Sequence, residues 1–251
     1  TLLRLSNSAK EHAVYLVVNL LERERDSSNK STFYNTNIVF AKNGTLITKY
    51  RKINLQNEPK LTPGKDVVTF DTDFGRFGLM TGIDILNYKP SQWFGFSKNV
   101  TNVAYPTAWQ SSMPFYMAME VQAGYVLANK VNLLAAGFNE PSKGYGGSAI
   151  YQNDGDVINS FITDKPATSN VISTVDSASD FTLSGFDIID GEPVSPLSNF
   201  NSSRDFDSKA YTFKSIELSG ADISDSVCHK KICCSFNIVA LSNETNSSEI
   251  Y

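Results

Sequence analysis

The sequence contains no uninterrupted apolar run approaching the roughly 20 residues that a membrane-spanning helix requires. Histidine and cysteine are scarce, with two and three residues respectively. His12 and His229 stand far apart and no Cys-x-x-Cys occurs, so no metal-ligand spacing is present and no metal is expected. No glycine-rich phosphate loop precedes a helix, and no cofactor is expected. Gly144-Tyr145-Gly146-Gly147 stands before a strand-like run and reads as a tight loop near a pocket mouth. Charge of one sign is also in short supply. A net charge of −4 spread over 251 residues argues against nucleic acid or an anionic membrane as the main partner. Thr1-Leu2-Leu3-Arg4-Leu5 is not followed by the apolar stretch and cleavage site of a signal peptide, so any export signal is expected upstream.

What the chain does have is core and sequons. Apolar residues make up 41% of it, enough for one large domain or one large and one small. Six Asn-x-Ser/Thr sequons, at Asn29, Asn43, Asn99, Asn201, Asn243 and Asn246, point to a secreted glycoprotein. Cys228, Cys233 and Cys234 crowd together, as suits an oxidising compartment. Neighbours on a strand face opposite ways, so Cys233 and Cys234 are expected to have different partners. One pairs with Cys228; the other bonds a segment outside this chain or stays buried and free.

Hydrophobic patterning predicts the elements in order. Leu2 to His12 reads as helical. Ala13 to Leu21 reads as a strand buried on both faces, followed by an exposed loop from Glu22 to Ser31. Phe33 to Phe40 and Thr45 to Tyr50 form a hairpin around Asn43-Gly44. Asn54 to Lys65 is a polar loop, and Val67 to Phe70 with Phe77 to Met80 form a second hairpin. Val100 to Tyr105 is a strand, Ser112 with Pro114 opens a helix of about five turns to Lys130, and Val131 to Ala136 is a buried strand. Ser148 to Tyr151 with Asn153-Asp154-Gly155 gives a strand and hairpin turn. This order predicts an α/β layered domain over residues 1–165. Residues 166–251 then form a smaller β-rich region, with strands at Tyr211 to Leu218 and Ile232 to Leu241.

The chain turns on Phe77-Gly78-Leu79-Met80-Thr81-Gly82-Ile83-Asp84-Ile85-Leu86. An apolar run stops at a small residue and restarts as a helix, the layout with which hydrolases present a nucleophile. Gly82, at the apex, has no side chain with which to attack. Thr81 does not replace one, because adjacent strand residues face opposite ways.

Several segments taken together resemble the vanin/biotinidase branch of the nitrilase (carbon–nitrogen hydrolase) superfamily. They are Tyr34-Asn35-Thr36, Tyr50-Arg51-Lys52-Ile53-Asn54-Leu55, Phe74-Gly75-Arg76-Phe77-Gly78 with Asp84-Ile85-Leu86, Tyr105-Pro106-Thr107-Ala108-Trp109, Pro141-Ser142-Lys143 before Gly147-Ser148, and Cys228 to Cys234. The resemblance implies an αββα four-layer sandwich followed by a β-rich base domain. It also implies hydrolysis of amides such as pantetheine or biotinyl-lysine by a Glu–Lys–Cys triad. By position Lys52 matches the triad lysine, Glu120 an accessory glutamate and Gly82 the cysteine, while the first glutamate would lie upstream of Thr1. A second polypeptide is expected to complete the domain, as a cleaved product or another subunit, giving an oligomer.

Nothing nearby in sequence replaces the nucleophile, and its loss typically costs several orders of magnitude in rate. The chain therefore reads as a catalytically inactive relative acting by ligand binding, carriage or assembly, with Lys52, Glu120, Trp109 and Tyr145 as candidate ligand contacts. A half-buried Lys52 needs a carboxylate, and Glu120 is the expected partner. The alternative is an active amidase whose nucleophile comes from another chain; a weaker one is a storage protein.

Overall fold

The computed structural model describes residues 1–96, 100–113, 115–176, 212 and 222–239. Those up to 176 belong to one compact unit, Thr1–Arg204, and those from 212 onward to a second, Asp205–Tyr251.

The described part of the first unit is built from two sheets. Strands β1 (Leu16–Arg25), β2 (Ser31–Phe40) and β3 (Leu46–Arg51) form an antiparallel meander. Strands β4 (Thr69–Thr72), β5 (Gly75–Leu79), β6 (Asn102–Thr107), β7 (Asn132–Gly137), β8 (Ser148–Tyr151) and β9 (Val157–Phe161) form a six-stranded sheet in that order. Within it β5, β6 and β7 run parallel, and the outer pairings are antiparallel.

Side-chain alternation assigns each sheet an inner and an outer face. On β2, Ile38 and Phe40 pack with Ala9 of helix α1 (Leu2–Glu11), whereas Val39 joins Tyr50, Phe70, Phe77, Leu79 and Ala104 between the sheets. On β6, Val103 and Tyr105 face the opposite way. They pack with Leu133, Ala149 and Tyr151 against Ala118, Tyr125 and Val126 of helix α3 (Ala118–Asn129), and Phe94 of the short helix α2 (Trp93–Phe96) joins them. The layers of the unit are therefore helix, sheet, sheet, helix. This is the αββα arrangement expected from the sequence.

Three local expectations require correction. The strand at Leu16 is half-buried rather than buried on both faces, because it is an edge strand. It also continues through Glu22 to Arg25, where a loop was expected. Glu22 stays in the sheet because it accepts hydrogen bonds from Lys49, Arg51 and Thr36 across the meander. The long helix begins at Ala118, not near Ser112. Ser112 and Tyr116 instead exchange backbone hydrogen bonds, and Ser111 Oγ accepts the Ala118 N–H at 3.1 Å. Lys130, in the left-handed conformation, ends it.

The first expected hairpin stands. The Asn43-Gly44 turn closes the β2–β3 hairpin with Gly44 at φ +84°, a conformation glycine adopts without cost. The boundary expected at residue 165 differs: residues 166–176, assigned by the sequence to the second region, lie within the first unit, where Asn139 Nδ2 donates to the carbonyls of Lys165 and Ala167, and Asn159 Nδ2 to that of Ile172.

In the second unit β10 (Ile223–His229) pairs antiparallel with β11 (Ile232–Ile238). β10 was not anticipated, and His229 ends it. Cys228 and Cys233 are cross-strand neighbours joined by a disulfide. Cys234 is unpaired within this chain and exposed on the other face of the ribbon, which corrects the buried thiol, one of its two expected fates; the other was a bond to a segment outside this chain. The strand expected at Tyr211 to Leu218 lies outside the described residues, apart from Thr212. No described helix is long and apolar enough to cross a membrane.

Candidate functional site

The parallel strands β5, β6 and β7 aim their carboxyl ends at one end of the sheet, where ligands of α/β folds collect. Beyond β5 the backbone extends through Thr81 and then turns into a single 3-10 turn, Gly82–Leu86. Gly82 takes φ +55°, where a side chain strains the backbone. Its carbonyl accepts the Tyr105 hydroxyl at 2.7 Å, and Thr81 Oγ1 donates to the Pro106 carbonyl at 2.6 Å. The turn is thus tied to β6.

A Cβ built on Gly82 would lie 3.1 Å from Lys52 Nζ and 3.3 Å from its Cε, with nothing else among the described residues within 4 Å apart from its chain neighbours. The structure therefore brings together Lys52 and Gly82, which lie 30 positions apart in the sequence. Any side chain at position 82 would rest against the lysine head.

Lys52 is 7% exposed and ion-paired with Glu58. Its carboxylate partner is therefore not Glu120, which sits exposed on α3. Sequence reasoning missed Glu58 because it lies in an aperiodic loop. The loop folds back on the strand: Lys52 N–H donates to the Asn35 carbonyl and Gly64 N–H to the Lys52 carbonyl, each at 2.8 Å. Asn35 Nδ2 also donates to Glu58 Oε1 at 3.0 Å. Burial pushes the Glu58 carboxyl upward, but the hydrogen bonds from Lys52 and Asn35 outweigh it and hold it below the usual carboxylate range. Asn19 Nδ2 extends the network by donating to Asn35 Oδ1 at 2.6 Å and Asn37 Oδ1 at 2.9 Å. Asn37 Nδ2 in turn reaches the Met80 carbonyl at 3.0 Å.

Asp84, fully buried, accepts four hydrogen bonds. Tyr50 OH (2.7 Å) and Thr81 N–H (3.2 Å) reach Oδ2, while Asn54 N–H and Nδ2 (2.9 Å each) reach Oδ1. Burial raises the Asp84 carboxyl, opposed by these donors, and raises the Tyr50 hydroxyl as well.

Trp109 and Tyr145 lie on loops that follow β6 and β7. Trp109 is buried and donates Nε1–H to the Tyr116 carbonyl at 2.7 Å. Tyr145 is half-buried, bridges to Gln110 and Glu140, and packs edge-on against Phe138. The two loops are joined where Ser111 N–H donates to the Gly144 carbonyl at 2.9 Å. Of the sequons, Asn29 and Asn43 are exposed in tight turns, and Asn99, Asn201, Asn243 and Asn246 lie outside the described residues. No group of three potential metal ligands occurs among the described residues.

Comparison with known proteins places this geometry in a family. The carbon–nitrogen hydrolase family model matches residues 1–178. Vanin-like protein 1 of Drosophila melanogaster is 30% identical over 100% of this chain and 49% of its own length. Pantetheinase of Canis lupus familiaris is 30% identical over 99% of this chain and 50% of its own. Biotinidase of Bos taurus is 39% identical over 59% of this chain and 30% of its own. Among solved structures, the nitrilase-superfamily protein Nit3 of Saccharomyces cerevisiae superposes with a TM-score of 0.55 at 25% identity, covering 64% of this chain and 60% of Nit3. The chain spans about half the length of the first two relatives. With the family model covering most of the chain and the αββα layers in place, the chain belongs to the carbon–nitrogen hydrolase family, in its vanin/biotinidase branch.

Proposed function

We propose that this chain is a secreted, catalytically silent relative of the amide hydrolases that binds a small molecule at the Lys52–Gly82 seat. One observation carries the reading: position 82, at the apex of the turn, bears no side chain, and a Cβ there would stand 3.1 Å from Lys52 Nζ. Acyl transfer of this kind needs a nucleophile that forms a covalent intermediate and a cation or donor that steadies the oxyanion. Lys52 supplies the second. The first is missing at 82, and the nearest hydroxyl in sequence, Thr81, is spent on the Pro106 carbonyl. What remains is a buried ammonium beside a position without a side chain, at the end of the sheet from which the loops carrying Trp109 and Tyr145 also leave. Glu120, exposed on α3, contributes nothing to this seat.

The test is turnover and binding together. Purified protein is incubated with pantetheine and with a biotinyl amide, and the released amine is quantified, while calorimetry on the same preparations measures binding. Binding without turnover, weakened by Lys52→Met, is expected. Turnover abolished by a thiol-blocking reagent would overturn the reading. It would instead favour the second one, an active amidase completed by a nucleophile from another chain. The intact Lys52–Glu58 pair keeps that reading in play, as do relatives named pantetheinase and biotinidase.

Secretion rests on the sequons, two of which lie on exposed turns. A mobility shift on enzymatic deglycosylation of protein from its natural source checks it. A partner polypeptide is supported by the edge strand β1, where Leu21 is 69% exposed. Light scattering of the purified chain as a well-behaved monomer would remove that part of the proposal.

A further inference from the structure

Two chain segments must be held in register for the Lys52–Gly82 seat to exist, and one buried carboxylate touches both. Tyr50 and Asn54 bracket Lys52, each two residues away, and both end on Asp84. Thr81, the residue before Gly82, gives its N–H to the same carboxylate. The Tyr105 hydroxyl also grips the Gly82 turn, but it makes no bond to the Lys52 strand. Asn37 lies opposite Tyr50 in the sheet, and its side chain reaches the Met80 carbonyl and Asn19 but no side chain of the Lys52 segment. Among the described residues, Asp84 is the one whose side chain bonds both segments directly.

We propose that Asp84 is the positioning residue of this site, fixing the distance between the Lys52 ammonium and whatever occupies position 82. The inference rests on the reading of that seat as the functional one. Asparagine has nearly the shape of Asp84 but only one acceptor oxygen. It cannot accept from Thr81 and Tyr50 on one side and from both Asn54 donors on the other. One segment is released, and the seat loosens without any loss of volume.

The experiment needs no ligand. In a Cys234→Ser background with the Cys228–Cys233 disulfide intact, Gly82→Cys introduces the chain's single free thiol. The pH dependence of its alkylation by iodoacetamide reports how close the ammonium sits. The charged and titratable groups around it are Lys52, Glu58, Asp84, Tyr50 and Tyr105. A free thiol has a midpoint near 8.5, and a neighbouring cation lowers it. The Gly82→Cys protein should show a midpoint about one pH unit lower. Adding Lys52→Met should abolish the shift, and adding Asp84→Asn should abolish most of it while the urea transition stays cooperative. Should Asp84→Asn fail to fold, Tyr50→Phe and Asn54→Ala each remove one tether and should each raise the midpoint part of the way. A midpoint lowered by Lys52 but unmoved by Asp84→Asn, or by both tether variants, overturns this inference alone. No lowering in the parent Gly82→Cys protein overturns both it and the reading of the seat.

Discussion

Glu58 reaches Lys52 across a chain reversal, and the pair is shielded so that the lysine side chain is 8% and the glutamate 20% exposed. A buried ammonium that loses its counter-ion is far more costly than one that never had to be buried. Glu58→Gln keeps the acceptor for Asn35 but removes the charge. It should destabilise the fold by about 2–4 kcal/mol, read as a lower urea midpoint at unchanged slope. Adding Lys52→Met should recover part of that loss, because removing both charges costs less than stranding one. An unchanged midpoint in the single variant would show that the pair contributes nothing to stability.

How much of this was legible in the sequence follows from where each residue lies. Gly82 was legible because it breaks an apolar run at a point where the pattern changes from strand to helix. The Asn43-Gly44 hairpin was legible from local turn chemistry. Lys52 was found through the resemblance, but its partner was not. Glu58 lies in a loop without periodicity, and only the backbone bonds from Lys52 to Asn35 and from Gly64 to Lys52 bring it close. Glu120 was misassigned because apolar residues such as Met119, Val121, Tyr125 and Val126 stand on several sides of the helix, so the sequence pattern did not mark one buried face. Ala118, Gln122, Tyr125 and Val126 define the buried face. At about 100° per residue Glu120 falls about 200° from Ala118 and from Gln122, toward solvent. The strand through Glu22 was missed because its charges read as solvent-exposed, whereas they pair with Lys49 and Arg51 two strands away.

That same pairing predicts a response to acid. Hydrogen bonds from Arg51 lead those that hold the Glu22 carboxyl down, from 4.5 to about 2. A carboxyl whose folded value is depressed stabilises the protein above its unfolded value, and that contribution is lost as pH falls through the folded one. Glu22 should therefore add stability above about pH 4.5 that drains away between there and about pH 2. Thermal melts across this range should show a steep fall in Tm for the parent protein and a shallower one for Glu22→Gln. Parallel curves would mean that Glu22 is not held by Arg51 in solution.

The cysteines should behave as one exposed thiol and one closed pair. Iodoacetamide applied to the folded protein without reductant should add one label per chain, at Cys234, within the time a free surface thiol takes. Cys228 and Cys233 should label only after reduction. Peptide mapping by mass spectrometry decides it, and a label on Cys228 or Cys233 before reduction would contradict the pairing.

Two buried tyrosines grip the turn from opposite sides, and their acceptors differ. Tyr105 donates to a neutral carbonyl, that of Gly82, whereas Tyr50 donates to the Asp84 carboxylate, both at 2.7 Å. Both rings are fully buried, so removing either hydroxyl leaves an acceptor that water does not readily reach. A neutral hydrogen bond contributes about 0.5–1.5 kcal/mol and one to a charged group about 1.5–3 kcal/mol. At pH 8, Tyr50→Phe should therefore cost more than Tyr105→Phe, and denaturant titrations of the two variants under identical conditions measure the difference. The order should also appear locally. Tyr105→Phe frees the Gly82 carbonyl and should speed amide exchange chiefly in the turn from Gly82 to Leu86, whereas Tyr50→Phe should also loosen the Lys52 segment, since Asp84 is tied to both. Equal losses would mean that the Asp84 carboxylate acts on Tyr50 no more strongly than an uncharged acceptor.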